Sequence, residues 1–170
     1  WKDENDKSLP TYMIEIKDSK RWGLSVQENS NLDVDNIEIS GNGTQAYVND
    51  DSSNYYEEAV QIRNNSTGDM SDGKINSNRG KALDIRNNSK FSLREMDISS
   101  NGTGSGVETY DAIQVSNHSH IDLNTVTVKL NGRTGLSVWG NSIAHINSVI
   151  MENNGSSGVW SNAADISENS

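Results

Sequence analysis

Ala112-Ile113-Gln114-Val115-Ser116-Asn117-His118-Ser119-His120-Ile121-Asp122-Leu123-Asn124-Thr125-Val126-Thr127-Val128-Lys129-Leu130-Asn131 is followed, 23 residues on, by a second version of itself. That version begins Gly135-Leu136-Ser137-Val138 and closes at Asn154. The opening apolar–polar–apolar unit also appears as Gly23-Leu24-Ser25-Val26, Ala59-Val60-Gln61-Ile62 and Ala82-Leu83-Asp84-Ile85. Four residues after its second apolar position stands Ser30, Ser66, Ser89, Ser119 or Ser142. A second polar column reads Asn42, Asn78, Asn101, Asn131 and Asn154. Between the columns come paired apolar positions: Leu32/Val34 and Ile37/Ile39, Phe91/Leu93 and Met96/Ile98, Ile121/Leu123 and Val126/Val128, Ala144/Ile146 and Val149/Met151.

Alternation with period two puts each apolar pair on one face of a strand. Strands this short cannot stand alone, so they must stack on their equivalents in neighbouring repeats. The reading is an all-β chain, a right-handed parallel β-helix of 23-residue coils with three short strands each. Coils rise by about 4.8 Å, and right-handed crossover is the strong default. No segment keeps the i, i+3, i+4, i+7 spacing of an amphipathic helix. The Asn and Ser columns fall at turns, where side chains bond to backbone and to each other. Sequons such as Asn42-Gly43-Thr44 follow from the repeat itself.

Composition agrees. Mean hydropathy is −0.74 and only 32% of residues are apolar, but 23 Asn, 25 Ser and 14 Gly carry the polarity, with a single proline. That is a turn-rich balance rather than the Pro-, Glu- and Lys-rich one of disorder. A net charge of −10 argues against nucleic acid as a partner. No apolar run approaches the ~20 residues of a membrane span. Without cysteine there is neither disulfide nor thiolate metal site, as in many surface proteins of bacteria and phage.

The chain reads as one domain over 1–170, with insertions at 44–57 and 103–110 that leave the repeat at the same turn and project from one edge. After Gly158-Val159 the pattern decays, and the chain ends inside a coil at Ser170. A segment of a longer protein, or a domain capped by a partner, is expected. Open coil ends also suit self-association.

Gly23-Leu24-x-Val26, Asn29-Ser30 and Asn42-Gly43 together resemble the pectin-lyase-like β-helix superfamily, in particular bacterial surface passengers, mannuronan epimerases and phage tailspikes. The resemblance covers nearly the whole chain and implies the fold. Motifs of the catalytic members, Asp-Pro-His, Gly-His-Gly and Arg-Ile-Lys, are missing from the sequence.

Candidate chemistry lies first on the outward positions beside the insertions. Gln61, Asp84 and Gln114 form one column, Arg63, Arg86 and Trp139 another, and Trp22, Glu58, Lys81 and Asp111 a third. Carboxylates, guanidinium groups, amides and tryptophans suit sugar rings and their hydroxyls. The alternative is a solvated surface with cross-coil ion pairs such as Glu58–Lys81. Trp139 and Trp160 project from successive coils as a contact surface, or else pack beneath a loop. In an enzyme, Asp84 and Asp111 would be the acid/base candidates, with Arg63 or Arg86 steadying a substrate carboxylate. Asp122 and His145 share another outward column, with His120 nearby, as a weak metal or acid/base pair. Asp33, Asp69 and Asp122, interrupted by Ser92, give scattered calcium a weak signal, and no other cofactor is expected.

The expected function is a secreted or cell- or virion-surface scaffold (adhesin, passenger or fibre segment) presenting one face to a glycan or protein. The alternatives are a polysaccharide lyase, epimerase or hydrolase, and an end-to-end stacking filament subunit.

Overall fold

A computed structural model describes residues 14–48, 54–103, 110–155 and 163–167. Within them the chain is all-β and, one hairpin apart, every strand pairing is parallel. The first strand of each repeat forms a six-stranded sheet from β2 (Leu24–Val26), β7 (Val60–Arg63), β9 (Leu83–Arg86), β11 (Ile113–Ser116), β14 (Leu136–Val138) and β17 (Ala164–Ile166). The remaining strand positions form a nine-stranded sheet: β1 (Ile14–Lys17), β3 (Asn31–Asp35), β4 (Ile37–Ser40), β8 (Thr67–Asn76), β10 (Lys90–Ser99), β12 (His120–Asn124), β13 (Thr127–Lys129), β15 (Ile143–Asn147) and β16 (Ile150–Glu152).

The second and third strand positions therefore share a sheet, and β8 and β10 run through both without interruption. Of the two residues separating them, the first keeps its ladder place, as in Asp35↔Ser71↔Arg94↔Asn124↔Asn147. Only the second turns, and Asn36, Asp72, Glu95, Thr125 and Ser148 all adopt φ between 49° and 57°. One left-handed residue bends the ribbon without ending it, in the manner of a bulge.

Register follows the repeat. Ile14 pairs Ile37 and Leu83 pairs Val60, 23 residues apart. Pairs spanning the insertions are 36 apart, as in Leu24↔Val60, or 30 apart, as in Leu83↔Ile113. The first insertion contains an antiparallel hairpin, β5 (Ala46–Val48) with β6 (Asn54–Tyr56). The last strand departs from the 23-residue spacing: Ala164-Asp165-Ile166 pairs with Leu136-Ser137-Val138, 28 residues away. Residues 156–162, with Gly158, Val159 and Trp160, lie outside the described residues.

The inward residues of both sheets form one core, in which Ile39, Ile62, Met70, Ile75, Leu83, Ile85, Phe91, Leu93, Ile98, Ile113 and Ile121 are fully buried. Gly68 occupies an inward position in the row of Leu32 and Phe91, and the Phe91 ring fills the space beneath it. A Cβ at Gly68 would stand 2.5 Å from Phe91 Cε2. This small–large exchange keeps the interior close-packed where the apolar pattern lapses.

Polar columns complete the interior. Asn78, Asn101 and Asn131 each accept, on Oδ1, the backbone N–H and the side-chain N–H of the Asn in the row before, while Asn42 Oδ1 accepts the backbone N–H of Ser19. Asn78 donates to Asn101 at 3.2 and 2.8 Å, and Asn101 to Asn131 at 2.9 and 3.1 Å. Each side-chain amide also reaches a strand carbonyl, as Asn101 Nδ2 to Ile75 O at 2.8 Å. The serines behave likewise, with the backbone N–H of Ser66 on Ser89 Oγ and that of Ser89 on Ser119 Oγ. At these turns the two columns satisfy backbone groups that burial would otherwise orphan.

Candidate functional site

On the outer face of the six-stranded sheet, parallel register aligns Ser25, Gln61, Asp84, Gln114, Ser137 and Asp165 in one row across the strands. Arg63 pairs with Arg86 one step along. Glu58 and Lys81 stand just before their strands, where the N–H of Ala59 donates to Lys81 O at 2.8 Å. These side chains meet. Arg63 Nη2 lies 3.2 Å from Glu58 Oε1 and 3.0 Å from Asp84 Oδ2. Arg86 Nη2 is 3.2 Å from Glu58 Oε1, and Arg86 Nε donates to Asp84 Oδ2 at 2.6 Å. Lys81 Nζ lies 3.7 Å from Asp84 and 3.9 Å from Glu58.

Both carboxylates have no exposed surface, and neither has Gln61. The expected solvated Glu58–Lys81 pair is instead part of a closed cluster of two anions and three cations. The long arginine and lysine side chains lie over the carboxylates and exclude water from them. Such a cluster depends on mutual pairing, since any member left alone would be a desolvated charge. Beside it, Gln61 Nε2 donates to Ser25 Oγ at 2.8 Å, across to the first row.

The other residues of this face remain more open. Gln114 and Trp139 are half-buried. So is Trp22, with the Arg21 guanidinium 3.8 Å above its ring and paired to Glu57 at 3.0 Å. Asp111 lies apart from the closed cluster's ion pairs, with Arg133 Nε 3.6 Å away. The two insertions touch, because Tyr56 N–H donates to Tyr110 Oη at 3.0 Å. Arg79 sits 4.7 Å above the Tyr56 ring. Trp160 lies outside the described residues.

The outer face of the larger sheet holds a second group. Asp122 and His145 are directly paired across β12 and β15, and His120 precedes Asp122 by two residues on the same face. His120 Nε2 is 2.8 Å and His145 Nδ1 3.0 Å from the same oxygen, Asp122 Oδ1. Lys90 Nζ is 3.3 Å from Asp122 Oδ2. Burial opposes the charge on Asp122, but the hydrogen bond and charge of His120, reinforced by Lys90, hold its pKa below the usual carboxylate value. Asp33 and Asp69 pair with each other further along this face, where Arg94 Nη2 lies 2.8 Å from Asp69. At the bend, the hydrogen bond that protonated Asp72 donates to Glu95, with burial and the charges of Glu95 and Asp35, raises the pKa of Asp72.

At the last rows apolar side chains lie open. Ile143, Ile146, Ile150 and Ile166 are 48–68% exposed. Ile146 and Ile166 face inward, in line with the buried Leu123 and Val138, and lack a following strand to cover them among the described residues.

No family model, curated protein or solved structure matches the chain. Among the described residues no helix is long and apolar enough to cross a membrane. Sequence reasoning named every member of the buried cluster but not their closure into one unit. The available signal was the placement of Glu58 and Lys81 on one side of Asp84, with Arg63 and Arg86 on the other.

Proposed function

We propose that the chain is a right-handed parallel β-helix of the pectin-lyase-like type, with 23-residue coils, acting as a surface scaffold that presents a glycan- or protein-binding face. The observation that carries this reading is the closed state of Glu58 and Asp84. Asp84, one of the two acid/base candidates, is sealed with Glu58 beneath Arg63, Arg86 and Lys81, so it braces the face rather than meets a substrate, and Asp111 stands apart from it beside Arg133. What the face offers outward is Trp22, Gln114, Trp139 and the outer edges of the arginines, a set suited to stacking on a sugar ring and bonding its hydroxyls. An acidic, cysteine-free chain with interior polar ladders fits a secreted or cell- or virion-surface setting.

The test is binding of the purified chain to a glycan array and to surface-protein extracts, beside an assay for turnover of anionic polysaccharides. Binding that falls in Trp139→Ala, without turnover, supports the scaffold. Turnover that disappears in Asp84→Asn and Asp111→Asn would overturn it in favour of a lyase, epimerase or hydrolase.

The uncovered Ile146 and Ile166 favour a second reading, in which copies stack end to end through open coils. Scattering at several concentrations would then show particle length growing with concentration, and a constant length would exclude it.

A further inference from the structure

We propose that His120, Asp122 and His145 form a binding site for a divalent transition-metal ion of the zinc class. Two of the three histidines in the chain converge here on a single carboxylate oxygen, and the three ligand atoms lie within 4.8 Å of one another. Bonds of ~2.0–2.1 Å to a tetrahedral ion place ligand atoms about 3.3 Å apart. The observed 2.8 and 3.0 Å separations need to open by a few tenths of an ångström, and the two ring nitrogens, within 4.8 Å of each other, need to come to the same spacing. Neighbouring strands of a parallel sheet fix the backbone beneath these residues, because Asp122 pairs His145 and His120 pairs Ile143. The imidazole rings stand at 88° with centroids 4.6 Å apart, so neither blocks the other's approach to the shared point.

Binding requires each ring to turn a lone pair toward the metal. His120 then carries its proton on Nδ1 and His145 on Nε2, and the two hydrogen bonds to Asp122 are exchanged for metal bonds. Two nitrogens and one oxygen suit zinc, nickel or copper, whereas calcium and magnesium prefer all-oxygen shells. The exposed position of His145 leaves room for water at the remaining coordination positions. Lys90 engages the other oxygen of Asp122 and so favours single-oxygen ligation, while its charge opposes the ion.

Isothermal titration of the full chain with zinc chloride, nickel chloride and calcium chloride tests the site. The expected result is one zinc or nickel ion per chain and no comparable calcium binding. His145→Ala, at a side chain 69% exposed, is expected to weaken zinc binding about tenfold or more with an unchanged circular dichroism spectrum. Lys90→Met is expected to tighten it, since a neighbouring positive charge is removed. The proposal is overturned if zinc shows no saturable binding up to about 1 mM, a limit near −4 kcal/mol. Equal zinc affinity in His145→Ala and the parent, or calcium bound as tightly as zinc, also overturns it.

Discussion

Replacing Asn101 by Ala removes the middle of the buried asparagine column without touching the apolar core. The side chain accepts from the backbone and side-chain N–H groups of Asn78, and donates to Ile75 O, Ser99 O and Asn131 Oδ1. Asn131 Oδ1 keeps the backbone N–H of Asn101, and Asn78 Nδ2 keeps Ile39 O. The Asn78 backbone N–H loses its side-chain acceptor and the Ile75 carbonyl loses a donor, at a site with no exposed surface, while the Ser99 carbonyl keeps the backbone N–H of Ser77. Two orphaned groups at ~1–3 kcal/mol each give a loss of about 2–6 kcal/mol, out of the ~5–15 kcal/mol that stabilises a typical domain. Asn154 makes the same kinds of bond at the half-buried end of the column, where water can replace them. Asn154→Ala is therefore expected to cost only about 1 kcal/mol. Urea titrations of the two variants measure the difference, and hydrogen exchange at the Asn78 amide localises it. Equal losses in the two variants, or an Asn101→Ala loss below about 1 kcal/mol, would refute the reasoning that burial makes these bonds costly to break.

Further outcomes follow from the same geometry. Asp84→Asn removes one of the two buried carboxylates that balance Arg63, Arg86 and Lys81, and is expected to lower stability by about 3–5 kcal/mol in chemical denaturation. Asp122 has a depressed pKa in the folded chain, so its contribution is present above the unfolded carboxylate value of ~3.9 and is lost as pH falls through the folded value. Thermal melts between neutral and acid pH should show a shallower acid limb in Asp122→Asn. Thr125 holds φ at 56° despite its branched side chain, and Thr125→Gly is expected to raise stability by about 1 kcal/mol, read from the urea midpoint.

The two polar columns were legible because small turn-formers recur at one register, and the structure shows why Asn serves at the buried rows of the second. Its amide must donate and accept at once. The row containing Gly68, Met70, Gly73 and Ile75 was harder to read, since glycine stands at two inward positions. At those points Phe91 and the Ile37 carbonyl come too close for a side chain. The last first-strand segment was not legible, because the pattern decays after Gly158-Val159 and a repeat of constant length cannot register the extra residues before Ala164. The buried charges escaped notice for a different reason. Period two says which side chains point outward, but not that long neighbours will fold over them and make an outward position a dry one.

Cysteine cross-linking tests the stacked register most directly, because the chain has no cysteine of its own. Gln114 and Ser137 are parallel partners on the outer face, close enough for a disulfide. Ser116 and Ser137 are displaced by two residues along the strands, which puts them beyond the ~7 Å limit. The account predicts rapid oxidation when Gln114→Cys and Ser137→Cys are combined, with retained structure and higher thermal stability. Ser116→Cys combined with Ser137→Cys should form no bridge. Equal bridging of both pairs, or a bridge only in the displaced pair, would contradict the parallel pairing on which the fold and both proposed sites rest.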